Sequence, residues 1–525
     1  MSLRWSPQIK VSKVEEFILN RCAKKRKLFV FLRLHRHQLF DDELQGKLAA
    51  AYGKRRRGEE PVPPAQLAMA AVLQAAFNVP DHEVPEMLVM ERRWQMVLDC
   101  ADANEPPFNQ TTVYRFRQRM IEHGLDKVLF DKTVALAKKT GAFGAAKLRA
   151  AFDACPLYGA GRVEDTFNLI GRAAFHVVRT AAERLGKSVE ETAAAAGIPV
   201  VATSSIKAGL DIDWDQSNAR RDGLRVLLSQ VESLTAWLEV ELSAELAKPP
   251  LSEEVATLKA LVEQDTEPDP DGSGRRIKEG VAKDRIISLG DPQMRHGRKS
   301  KRHRIDGYKR HIAVDVDSPQ FIIGVAVTPA NRPERDAAKE LLEEVESRGR
   351  AIDELQIDRG YLGDEHIEAR RQAGMDVVGK PFPLHNHGLF TKADFHIDIA
   401  KQAVTCPNDV VVPLRFGAVL HFPDAACAAC PKRAACTHAK HGRSLSIHDN
   451  ESFLLELRAA RRTPEGRRRA RARIHVEHGL ARLATRSGTR ARYRGLRKNL
   501  FDQRRHAAVV NLRALAALDL TGSAL

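Results

Sequence analysis

Long apolar stretches are missing from this chain of 525 residues. Its apolar runs, such as residues 28–32 and 67–77, fall far below the roughly 18 residues a membrane-crossing helix needs. No basic segment followed by an apolar one stands at the start, so no export signal is expected. Cysteine is scarce and odd in number, seven in all, which does not suit a secreted disulfide framework. These absences point to a cytoplasmic protein with reduced thiols. The length predicts two to four domains at roughly 100 to 200 residues each.

Acid is scarce in one place. Residues 458–505 hold 17 Lys or Arg but only Glu465, Glu477 and Asp502, a net +14 of the chain's +16. With a pI near 9.6, the chain is expected to bind a polyanion, because Lys and Arg release counterions from phosphate. Nucleic acid suits it better than a membrane surface. A carboxylate such as Glu477, alone among so many cations, needs a chemical reason.

Residues 1–145 read as mostly helical, with apolar positions at helical spacing over 65–77 and 113–137. Basic clusters at 24–27 and 54–57 are candidate backbone contacts, or simply solvated surface. Asn109 or Thr111 is placed to cap a helix presenting Arg115, Arg117 and Arg119. That helix reads either as the recognition helix of a helix-turn-helix or as an amphipathic packing helix. Residues 148–153 predict a buried strand that delivers Asp153 at its end. Residues 164–264 predict a helical insertion, and 265–274, rich in Asp, Pro and Gly, a loop. A basic loop over 295–310 should follow, in which Arg295, Arg298, Lys299, Lys301, Arg302 and Arg304 face phosphate or solvent. Tyr308 and Lys309 open a strand that faces either the site or the core. Strands are expected over 307–316 and 321–327, a helix over 335–348, and a further strand over 355–358 that ends in Asp358. The fold class is therefore α/β, a mixed sheet covered by helices.

Asp153, Asp358 and Glu477, brought to one point, have a specific use. Two divalent ions about 4 Å apart clamp the attacking and leaving oxygens of a phosphoryl displacement, and hard Mg²⁺ takes carboxylate oxygens. Arg473, one helical turn before Glu477, is placed to orient that carboxylate or hold a phosphate. Separately, Cys406, Cys427, Cys430 and Cys436, with a Cys-x-x-Cys inside, match the spacing of a closed tetrahedral zinc site. Four independent thiols, or a redox pair at Cys427 and Cys430, are the alternatives, and His438 is a further candidate ligand. Cys22, Cys100 and Cys155 read as packing residues.

The blocks Asp153-Ala154-Cys155-Pro156-Leu157, Asp291-Pro292-Gln293-Met294-Arg295-His296-Gly297, Thr328-Pro329-Ala330-Asn331, Ile357-Asp358-Arg359-Gly360-Tyr361 and Arg494-Gly495-Leu496 occur in this order. In that order they resemble the DDE transposases of bacterial insertion sequences, specifically the eleven-eighty-two group. The resemblance implies a ribonuclease H-like core with Asp153, Asp358 and Glu477 as the triad holding two Mg²⁺ or Mn²⁺ ions. It implies cleavage of double-stranded DNA at element ends and transfer of the 3′-hydroxyl into target DNA. It also implies a homodimer or higher oligomer in the bacterial cytoplasm.

Candidate DNA contacts are Arg115, Arg117, Arg298, Lys299, Lys301, Arg302, Lys309, Arg473, Arg482 and Arg494. The expected division is a helical N-terminal DNA-binding domain (1–145), a core in pieces (146–163, 285–380), the helical insertion (164–284), a four-cysteine zinc insertion (381–450) and C-terminal catalytic helices (451–525). The chain departs from the family pattern at Ala154, where a hydroxyl residue is usual, and at Ala470 and Ala484, where related enzymes carry Tyr and Lys. Ala154 keeps a second reading open, an inactive DNA-binding repressor or domesticated factor of the same fold. A nuclease without strand transfer is a third.

Overall fold

The computed structural model describes residues 3–53, 61–101, 103–139, 148–272, 274–300, 302–349 and 351–519. The basic cluster 54–57 and Lys301 lie outside the described residues.

The N-terminal part is helical, as its periodicity predicts, from Lys13–Cys22 to Leu125–Lys139. Local signals set the ends of these helices. Ser12 and Glu15 form a reciprocal capping box at the first, satisfying two amides that the helix leaves without partners. Pro64 opens the apolar helix Pro64–Phe77, and Asn78 closes it in a left-handed conformation. The run at 67–77 is thus a core helix. Among the described residues, no helix is long and apolar enough to cross a membrane.

Six strands build the main sheet: β1 Arg149–Tyr158, β2 Arg295–Ser300, β3 His303–Asp315, β4 Ile322–Pro329, β5 Glu354–Ile357 and β6 Asp376–Gly379. The long β3 pairs antiparallel with β1 on one side, and with β2 and then β4 on the other. Beyond β1 the sheet turns parallel, through β5 to β6. The result is a mixed sheet flanked by helices, consistent with a ribonuclease H-like arrangement.

Three expectations need correction here. β1 does not stop at Asp153, because its antiparallel register with β3 continues from Asp153↔Ile312 to Tyr158↔Gly307. The acid therefore lies mid-strand. The basic segment 295–310 is a β-hairpin, not a loop, since Arg295 pairs with Gly307 and Gly297 with Ile305. Gly307 permits this crossing: its φ is 145°, and a Cβ there would lie 2.2 Å from the Gly159 nitrogen, a conformation and approach open only to glycine. Finally, the loop after the helical insertion is flanked by two short paired strands, Thr266–Pro268 and Arg275–Ile277.

The N-terminal helices share one apolar core with the sheet and the C-terminal helices, running from Phe29 and Leu73 through Phe152, Ile312 and Leu355 to Val476 and Leu512. Charge reinforces that junction, for the buried Asp126 carboxylate receives Arg497 and Arg504 from the helix Leu496–Asp519. The helical insertion encloses its own core around Ile170, Leu227 and Leu261. A third, small core lies between Phe395 and Ile447.

Candidate active site

Asp153 and Asp358 are brought together by strand register. β1 and β5 pair as Ala150↔Leu355 and Ala151↔Gln356, and carrying that register two residues on sets Asp153 beside Asp358. Adjacent parallel strands lie about 4.8 Å apart, with paired residues on the same face. Asp358 is the first residue past β5 and the N-cap of the short helix Arg359–Tyr361, yet its side chain accepts no capping hydrogen bond. Its carboxylate stays available for other chemistry. Asp153 accepts a 2.9 Å hydrogen bond from the Ala154 amide.

Glu477 arrives on the helix Ile474–Ser487, which packs across β1 and β3. Gly479 lets the helix approach, since a Cβ there would stand 2.9 Å from Val314 and 3.0 Å from Ile312. Arg473 joins the first and third acids. Its Nη1 lies 3.1 Å from Asp153 Oδ2, and its Nη2 donates to Glu477 Oε1 at 2.5 Å. The guanidinium is buried and the Glu477 side chain is 51% exposed, so the pair reaches from beneath the site to its mouth.

Burial pushes the Asp153 carboxyl above its usual range; Arg473 opposes the shift, and the charges of Asp358 and Glu477 add to it. Asp358 and Glu477 thus both act on Asp153, and three carboxylates carry more negative charge than one arginine offsets.

A fourth carboxylate belongs to this environment. Burial raises the Glu334 carboxyl; Lys309 opposes that shift, and Asp153 and Asp358 reinforce it. Glu334 lies so close to Gly360 that a Cβ there would stand 2.1 Å from its Oε2. No sequence signal sets Glu334 apart from the neighbouring Asp336, which is exposed. Beneath the acids, the Tyr361 hydroxyl and Thr328 Oγ1 each lie 2.9 Å from one ring nitrogen of buried His311. Tyr308, open to two readings in the sequence, faces the core, where its hydroxyl donates to Asp291.

The proposed DNA contacts divide. Arg298, Lys299 and Arg302 are exposed on the β2–β3 hairpin, and Arg115 and Arg494 are exposed on the surface. Lys309 donates to the Arg332 carbonyl at 2.7 Å. Asn109 does cap the helix Gln110–Glu122, but Arg117 on that helix is held by both oxygens of Asp81 at 2.6 and 2.5 Å, between Tyr114 and Tyr493. Its geometry is that of a packing residue. Arg482 likewise docks on the Pro319 carbonyl in the β3–β4 turn.

The four clustered cysteines stand as free thiols in the small insertion. The Asn408 amide donates to Cys406 Sγ at 3.4 Å. Burial raises the Cys436 thiol; Arg443 opposes this, and Cys427, Cys406 and Cys430 add to it, so the four share one electrostatic neighbourhood. Among the described residues no group of three or more His, Cys, Asp or Glu side chains is arranged to hold a metal ion.

Residues 271–512 match the family described as Transposase DDE domain. Residues 22–119 match a second family, Transposase domain (DUF772). The chain belongs to the DDE transposases of insertion sequences. No curated protein and no solved structure matches it. The DDE match takes in Asp358 and Glu477 but begins after Asp153. Assignment of the first acid in this transposase therefore rests on the β1–β5 register and on Arg473.

Proposed function

We propose that this transposase cuts DNA at the ends of an insertion sequence of the eleven-eighty-two type and transfers the freed 3′-hydroxyls into target DNA. Asp153, Asp358 and Glu477 are its catalytic carboxylates. The observation that carries this reading is the joining of all three: register sets Asp153 beside Asp358, and one guanidinium ties Asp153 to Glu477. The donor set suits the metals of the family, since three carboxylates offer the hard oxygens that Mg²⁺ and Mn²⁺ take. Burial raises the Asp153 carboxyl and the charges of Asp358 and Glu477 add to it, and a divalent cation relieves both effects by favouring the ionised form. When bound, such ions activate the attacking oxygen and stabilise the leaving one.

The chain's own groups then orient and neutralise. Asp153 on β1 and Asp358 just past the end of β5 define the floor of the site. Arg473 holds Glu477 over that floor and is the nearest cation to any phosphate placed there. Arg298, Lys299 and Arg302 on the hairpin, with Lys309, supply backbone contacts. On their spacing, Cys406, Cys427, Cys430 and Cys436 are the ligands of one zinc that holds the small insertion, although among the described residues these thiols are not gathered as a metal site. Two copies act together on two element ends.

The test is cleavage and joining of an end-containing duplex with Mg²⁺. Asp358→Asn should keep DNA binding and abolish both steps. Cleavage retained by Asp358→Asn overturns the assignment.

A further inference from the structure

Between the helical insertion and the β2–β3 hairpin lies a cleft of about 800 Å³. Its lining holds seven Lys or Arg and a single carboxylate, Asp265, which Arg285 already engages at 2.6 Å. Charged surface that serves solubility mixes both signs; this surface does not. Lys283, Arg298 and Arg304 in the lining are exposed and make no ion pair among the described residues. The exposed Arg332 side chain approaches a carboxylate only at 3.7 Å, that of Asp284.

The wall contributed by the insertion is held in place. Asn331, at the end of β4, donates to the Lys283 carbonyl at 2.7 Å and to Asp284 Oδ1 at 2.9 Å. Lys278 is tied to the Glu263 carbonyl at 2.6 Å. The cations thus converge on a fixed surface.

The cleft also leads to the acids. Arg298 and Lys309 line it and, in addition, an adjoining cavity of about 110 Å³ whose other walls include Ala154 and Glu334. Ala154 follows Asp153 directly. A polyanion lying in the cleft would pass from the insertion, past Lys309, to the catalytic carboxylates.

We infer that this cleft is a DNA-backbone channel, in which the insertion between β1 and β2 holds phosphates of the duplex next to the bond being cut. Lys283, Arg304 and Arg332 are its phosphate contacts. The inference rests on the transposase reading above and deepens it: the insertion is part of the DNA-binding surface.

The experiment measures binding of the full-length protein to a duplex across a salt series. Each phosphate contact contributes about 0.9 to the slope of log affinity against log salt. The triple variant Lys283→Ala, Arg304→Ala, Arg332→Ala should lower that slope by about 2.7, three such contacts. A control triple on exposed positions elsewhere in the insertion, Lys187→Ala, Arg220→Ala and Lys259→Ala, should leave it unchanged. All six side chains are exposed, so both variants should keep the wild-type thermal unfolding. A cleft variant with the wild-type slope overturns the channel while leaving the transposase reading intact. A control variant that loses as much slope overturns it too, since the insertion would then attract DNA without a channel. Wild-type protein with no salt-dependent DNA binding overturns both.

Discussion

Single atoms decide the geometry around the acids. Gly360 has room for hydrogen only, because the Glu334 carboxylate occupies the space of a Cβ. Gly360→Ala should therefore push the flexible Glu334 carboxylate aside and cost about 1 kcal/mol, the low end of the range for overpacking. Pairing it with Glu334→Ala should recover most of that loss, a coupling that urea unfolding of the two single variants and the double variant measures. His311 makes a prediction of the opposite kind, in pH. Complete burial, helped by Lys309, holds its imidazole down to about 3, whereas in the unfolded chain it titrates near 6.5. The folded state stays neutral while the unfolded state takes up a proton as pH falls below 6.5. Stability from this group is thus complete above that value and is lost progressively toward pH 3. Between pH 7.5 and 5.5 the loss should be about 1.4 kcal/mol, and a His311→Gln variant should lack that part of the pH dependence.

At the scale of elements, β3 and the two helices that cross the sheet do most of the organising. Arg504 on the helix Leu496–Asp519 sits between Glu344 at 3.1 Å and Asp126 at 3.5 Å, both carboxylates nearly inaccessible. Removing one partner of a buried charge network strands the others, so Arg504→Ala should destabilise by about 3–5 kcal/mol, read as a lower urea midpoint at an unchanged m value. The sequence foretold β5, expected over 355–358 and found over Glu354–Ile357, because a short run there ends at Asp358 followed by Gly360. It misplaced the end of β1 for a physical reason: past Asp153 the strand continues through Ala154, Cys155 and Pro156, which pair with β3 without an alternating apolar pattern. The hairpin at 295–310 was hidden in the same way, since its strands are basic and are held by backbone pairing. Glu477 was singled out by charge contrast and by Arg473 one turn earlier, whereas Glu334 carried no such signal, because its place depends on Gly360, which is remote in sequence.

At the scale of the whole molecule, the described residues of the transposase form one large core spanning the N-terminal helices, the sheet and the C-terminal helices, a small cluster around Leu157, Met294 and Tyr308, and a separate core in each of two insertions. The insertions differ in self-sufficiency. The helical one buries long apolar faces from Thr166–Leu185, Ser217–Glu241 and Leu251–Asp265. The cysteine-bearing one has short strands and only eight buried apolar residues, Phe395 to Ile447. A unit that small usually needs a covalent or metal staple to stay folded, which is the role proposed above for zinc on the four thiols. Purified transposase should therefore carry one zinc per chain, measurable by elemental analysis. Exchanging Cys427 and Cys430 for serine should remove the metal and make residues 395–447 the first segment cut by protease, while the cooperative unfolding of the large core persists, since among the described residues of 381–450 only Phe382 packs against that core. Protein that contains no zinc, and whose small insertion resists protease equally with and without those two cysteines, would show that the apolar cluster alone holds it.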